Sequence, residues 1–160
     1  MVKLIIGKKG SGKTKKLIDA VKVATEASNG NVVCIEKGPA LTYDIPHKTR
    51  LVNIENFGVV GYDAFYGFLC GICAGNYDVT DIFVDATLRI GSRDYNELCE
   101  FIKKVKPLSE DSNTVITFTV SCDEADLPAE IFDFAERFLV FFGQAEWRLP
   151  LFCNFLVIKR

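Results

Sequence analysis

Eight consecutive residues near the amino terminus, Gly7-Lys8-Lys9-Gly10-Ser11-Gly12-Lys13-Thr14, constrain the fold more than any other part of the chain. They follow directly on the apolar run Leu4-Ile5-Ile6, which is short and rich in β-branched residues and so reads as a strand. After them Leu17, Val21 and Ala24 recur at helical spacing, and Asn29-Gly30 supplies a helix stop. Gly7, Gly10 and Gly12 let the chain turn sharply between strand and helix and let another group approach the backbone closely. In such a turn the backbone N–H groups and the positive end of the following helix converge on one spot, which is an anion site. The charge agrees with that. Lys3, Lys8, Lys9, Lys13, Lys15, Lys16 and Lys22 face a single acid, Asp19, within residues 1–22, although the whole chain carries −2.

The rest of the chain repeats the alternation. Apolar runs rich in valine, isoleucine and phenylalanine lie at 2–6, 31–35, 51–54, 81–85, 114–121, 137–142 and 152–158, with helical segments between them. This order predicts a three-layer α/β fold with a mostly parallel sheet between helices, and with the strand at 2–6 central. One helix is expected over Tyr62–Ala74, nearly uncharged and therefore buried, with Gly67 and Gly71 admitting a close neighbour. Another is expected over Arg93–Lys106, with Leu98, Phe101, Ile102 and Val105 on its inner face, Ser92 as N-cap and Pro107 as stop. A short helix is expected near Pro128. The tail from Arg137 to Lys159 reads as an antiparallel edge hairpin turning at Gly143.

No linker or repeat divides residues 1–160, so one domain is expected. The apolar stretch Phe138–Phe142 is far below the ~20 residues of a membrane span, and no secretory leader is legible. A cytoplasmic protein is expected, and the six cysteines then read as reduced thiols, with Cys70-x-x-Cys73 as buried small side chains. The charge balance gives no indication of nucleic-acid binding.

Gly7–Thr14 satisfies G-x-x-x-x-G-K-[ST] at every fixed position, and on that motif the chain resembles the P-loop NTPases. The resemblance implies ATP and Mg2+ as cofactors: residues 7–14 would cradle the phosphates, Lys13 would bridge the β- and γ-phosphates, and the Thr14 hydroxyl would ligate magnesium. An acid at the end of a neighbouring apolar strand should complete the metal site. Asp85 ends Ile82-Phe83-Val84, and Asp123 opens Asp-Glu-Ala-Asp after a second apolar strand. Asp85 is preferred because Asp126 and Pro128 read as a helix start, with Asp126 as the cap, while Asp123 remains the alternative. With Asp85 chosen, Thr119 or Ser121 on the next strand falls where a polar residue would sense the γ-phosphate.

No glutamate follows Asp85, since the next residue is Ala86. Val32-Val33-Cys34-Ile35-Glu36 nevertheless resembles the RecA-type branch, which implies Glu36 as the water-activating base. The chain is also similar to small bacterial P-loop ATP-binding proteins. Asn-Lys-x-Asp and Asp-x-x-Gly, the guanine and switch signatures of GTP-binding proteins, are both absent. The expectation is an ATP-binding protein with weak or partner-stimulated ATPase activity, acting with a protein partner or as a homo-oligomer. Two alternatives stand beside it: a small-molecule or nucleotide kinase clamping phosphate with Arg89 or Arg93, and a regulatory module that binds nucleotide without turnover.

Overall fold

The computed structural model describes residues 1–138. Its core is a six-stranded sheet built from β1 (Val2–Ile6), β2 (Asn31–Glu36), β3 (Arg50–Asn53), β4 (Val79–Val84), β5 (Val115–Val120) and β6 (Glu136–Arg137), in the order β3-β2-β4-β5-β1-β6. Every pairing in it is parallel. Four helices connect the strands: α1 (Lys13–Ala27), α2 (Tyr62–Gly75), the single turn α3 (Thr87–Ile90) and α4 (Tyr95–Asp111).

Alternation along each strand sends side chains to two separate cores. Leu17 and Val21 of α1 pack on Ile5, Val32, Cys34 and Phe83. On the opposite face Phe65 and Leu69 of α2 and Phe101, Ile102 and Val105 of α4 pack on Leu4, Ile35, Ile82 and Phe118. Because both faces are covered, the strands read as continuous apolar runs. Phe101 stacks on Phe65 at 5.2 Å and meets Phe118 edge-on at 5.6 Å. Each such pair adds about 0.5–1.5 kcal/mol beyond its buried area.

Several expectations need correction. Strand β1 is internal but lies next to the two-residue β6, and the middle of the sheet is β4 and β5. Helix α4 starts at Tyr95, not Arg93, because Asp94 is its cap: the Asp94 carboxylate accepts from the amides of Asn96 and Glu97, and Ser92 lies outside the helix. Pro107 does not stop that helix, which runs on to Asp111. Proline costs a helix the bond to the carbonyl four residues back, here Lys103, and both residues lie on the exposed side where water can serve that carbonyl. Helix α2 is buried only along Phe65, Leu69 and Cys73. Among the described residues Gly67 and Gly71 have no close neighbour, since none lies within 4 Å of where their Cβ atoms would be. Past β5 the chain forms two 3₁₀ turns, Glu124–Asp126 and Ala129–Asp133, instead of an α-helix near Pro128. Asp126 sits inside the first of these turns, and Asp123 occupies the cap position assigned to it. The hairpin expected around Gly143 and the strand at 152–158 lie outside the described residues. Among the described residues no helix is long and apolar enough to cross a membrane.

Candidate functional site

The loop after β1 and the loop after β4 leave the sheet towards opposite faces, the first into α1 and the second into α3 and α4. Strand β5 lies between them. Departure of neighbouring connections to opposite sides opens a crevice at the carboxyl ends of the strands, where open α/β sheets bind ligands. A cleft of 840 Å3 occupies that place. Lys9, Gly10, Gly12, Lys13 and Thr14 form one wall, and Asp85, Thr119 and Ser121 form its floor.

The glycine loop presents backbone donors that have no partner among the described residues. Gly10 and Gly12 take φ of +84° and +80°, the left-handed region that side chains disfavour. The amide of Gly7 bonds to Val120 O at 3.2 Å and that of Ser11 to Lys8 O at 3.1 Å. The amides of Lys9, Gly10, Gly12, Lys13 and Thr14 have no acceptor among the described residues. The last two belong to the first turn of α1, whose N–H groups have no partner within the helix. Lys13 is 8% exposed and its ammonium folds back to donate to Lys8 O at 2.8 Å. Burial lowers its pKa, with the charge of Asp85 opposing that shift. A phosphate chain laid in the loop would offer this ammonium a stronger acceptor than a neutral carbonyl. The donor set therefore fits a polyphosphate, and the Thr14 hydroxyl and Asp85 carboxylate, hard oxygen ligands in the same cleft, fit magnesium.

Asp85 is held by its neighbour on the sheet. The Thr119 hydroxyl donates to Asp85 Oδ1 at 2.8 Å and accepts from the amide of Ala86 at 3.0 Å. Ala86 itself has φ of +57°, a strained value for a residue with a Cβ. Thr119 thus orients the acid and secures the strained turn. Its hydroxyl is committed to Asp85, which leaves Ser121 as the polar residue of β5's end that lines the cleft without such a bond.

Glu36 ends β2, the strand next to β4. Ile35 is in register with Val84, so one step further Glu36 stands beside Asp85, about 4.8 Å away at the backbone. Glu36 is 3% exposed and one of its oxygens accepts from Leu41 N at 2.7 Å. It does not line the cleft. The segment that turns back over it carries Leu41 and Ile45 into the core beneath α1.

Asp123 is elsewhere. It pairs with Lys8 at 2.9 Å, which holds its carboxyl below the usual carboxylate range, and it does not line the cleft. Glu124 pairs with Arg137. Lys8, Gly7 and Ser11, expected to bind phosphate, shape the loop without lining the cleft. Arg89 and Arg93 do line it, from the segment that follows β4. Among the described residues no group of three His, Cys, Asp or Glu side chains gathers as a metal cluster, and Cys70 and Cys73 are free thiols. No protein-family model and no curated protein matches the sequence.

Proposed function

We propose that the chain is a P-loop NTPase that binds ATP with magnesium in the cleft between β1 and β4 and hydrolyses it slowly or under stimulation by a partner. The observation that carries this reading is the set of five loop amides without acceptors, placed in one cleft with Lys13, Thr14 and Asp85. The amides supply donors for a triphosphate that need no partner displaced on binding, and the Lys13 ammonium adds another once it leaves Lys8 O. Magnesium, when bound, would neutralise phosphate charge, and Thr14 and Asp85 are the residues to hold it. Thr119 keeps the Asp85 carboxylate aimed, and Lys13 exchanges Lys8 O for phosphate oxygen.

A second reading, nucleotide binding without turnover, is favoured by the bond from Leu41 N to Glu36. That bond and the overlying segment separate from the cleft the only carboxylate placed beside Asp85 on β2, so a water would have no base unless the segment moved.

Calorimetric titration with magnesium and ATP tests the first premise. Lys13→Ala should abolish binding while leaving the fold intact, because Lys13 makes its one side-chain hydrogen bond to a carbonyl that water can serve. Unchanged affinity in this variant would exclude the loop as the nucleotide site.

A further inference from the structure

The cleft extends past the glycine loop and the candidate metal ligands. Beyond Asp85 it continues along Thr87, Leu88, Arg89 and Arg93 to Tyr95. A volume of 840 Å3 is at the upper end of the roughly 300–1,000 Å3 typical of small-molecule sites. We propose that this far half is a subsite for a second, oxyanion-bearing small molecule, gripped by Arg89 and Arg93 while a nucleotide occupies the loop. The proposal rests on the reading of the loop as a nucleotide site.

Charge supports it. Lys9, Lys13, Arg89 and Arg93 line the cleft against one acid, Asp85, an excess of three positive charges. Lys9 and Lys13 stand on the loop side with the amides. Arg89 and Arg93 line the cleft from the segment that follows β4, and neither makes an ion pair among the described residues. The acids nearest in sequence are already engaged: Asp94 caps α4 and Glu97 accepts from the Ser92 hydroxyl. Unpaired arginines on a concave wall are suited to bidentate capture of phosphate or carboxylate.

Arg89 and Arg93 are exposed, but the backbone that carries them is braced. Ala86 N is tied to Thr119, Ile90 O accepts from Gly61 N at 2.9 Å, and Ser92 O accepts from the Tyr62 hydroxyl at 3.0 Å. Arg89 O accepts from the Lys37 ammonium. Gly91 lies so close to the Tyr62 ring that a Cβ there would come within 2.1 Å of it. Four ties over residues 86–93 fix the backbone that carries both arginines. In the same wall the Thr87 hydroxyl is fully buried and has no hydrogen-bond partner among the described residues, which is rare because an unmet buried polar group is destabilising. Tyr95 and Leu88 add an aromatic and an aliphatic surface for the body of the molecule that carries the oxyanion.

The test uses the full chain saturated with magnesium and a non-hydrolysable ATP analogue, so that every phosphate position of the nucleotide is filled. Inorganic phosphate is then titrated in by calorimetry, and acetate separately, to distinguish a phosphate from a carboxylate ligand. Saturable binding of one equivalent of either probe is expected. Arg89→Gln and Arg93→Gln should each weaken it at least about tenfold, the scale of a hydrogen bond between charged groups. Both variants should hold the nucleotide analogue within a few-fold of the parent and unfold at the parent's temperature. Absence of saturable binding of both probes at about 10 mM, a concentration that would reveal even a millimolar site, overturns the subsite. So does a loss of affinity for the ATP analogue but not for ADP, which would show the arginines gripping the terminal phosphate. If the parent binds no nucleotide, the nucleotide reading fails instead. Phosphate binding to the nucleotide-free chain then decides the subsite: it must be sensitive to Arg89→Gln and insensitive to Lys13→Ala, and the reverse pattern overturns it.

Discussion

Replacing Thr119 by valine isolates the contribution of one hydroxyl to the geometry of the cleft. The two side chains are nearly the same shape, so packing around this buried position changes little and the effect lies in hydrogen bonding. The substitution deletes a donor to the Asp85 carboxylate and an acceptor for Ala86 N–H. A hydrogen bond to a charged group contributes about 1.5–3 kcal/mol and an orphaned buried amide costs about 1–3 kcal/mol. Asp85 and Ala86 are both half-buried, and water recovers part of each loss. A destabilisation of about 2 kcal/mol remains after that discount. Thr119→Ser retains the hydroxyl and removes one methyl, for about 1 kcal/mol. Urea unfolding of the parent and both variants gives the comparison. In addition, the magnesium-dependent part of nucleotide affinity should fall in Thr119→Val and stay near the parent value in Thr119→Ser, since only the former releases Asp85. The reasoning is refuted if the valine variant is as stable as the parent, or if serine costs as much as valine.

Glu36→Gln should keep the bond from Leu41 N and hence the fold, hold ATP within a few-fold, and lower any turnover by about 10²-fold or more if the carboxylate acts as base; a parent-like rate in a steady-state ATPase assay would confine Glu36 to its bond with Leu41. Gly12→Ala forces a Cβ onto a residue at φ +80°, at a cost of roughly 1–2 kcal/mol, and thermal unfolding should show that loss together with weaker nucleotide binding. Burial raises the Cys34 thiol from 9.0 to about 12 and the Cys122 thiol to about 11. The folded state therefore keeps protons that the unfolded state releases, so this stabilisation is complete below about pH 9 and is lost as pH rises towards 12. Urea midpoints measured from pH 7 to pH 11 should fall above pH 9, and less steeply in Cys34→Ala.

Much of the fold was legible because the sheet is covered on both sides. That burial makes Val32–Ile35 and Ile82–Val84 apolar throughout and leaves only Thr117 and Thr119 as polar residues in Val115–Val120, and runs of that kind between helical segments have few other readings. The turn at Gly7–Thr14 was legible for a different reason, since glycines between an apolar strand and a helical pattern mark a sharp connection, and Gly10 and Gly12 do take positive φ there. Helix limits were harder to read. Ser92 and Asp94 are both good caps two residues apart, and only the carboxylate of Asp94 reaches the amides of Asn96 and Glu97. Pro107 misleads because a helix tolerates proline where the lost bond faces water, and exposure is a tertiary property. The glycines of α2 illustrate the converse: Gly67 and Gly71 permit a close neighbour without requiring one.

The candidate site divides along the same line. Residues that act through the backbone of their own segment, Gly7 to Thr14, are visible as a motif, whereas residues that act across strands become visible only with the strand order. Thr119 is an ordinary strand threonine until β5 is placed between β1 and β4, where its hydroxyl reaches Asp85 and Ala86 together. Glu36 and Asp85 are 49 positions apart in sequence yet adjacent in the sheet, because β2 pairs with β4 and Ile35 aligns with Val84. That register puts both carboxylates on the face that carries α1, since Cys34 and Phe83, two residues before each, belong to the core beneath that helix. Strand order therefore places a second acid next to the one that lines the cleft, and the 37–41 segment determines its access. Any stimulus that draws Leu41 N away from Glu36 would expose a carboxylate beside Asp85, so under the proposed ATPase reading the packing of Leu41 and Ile45 under α1 is where its control would lie.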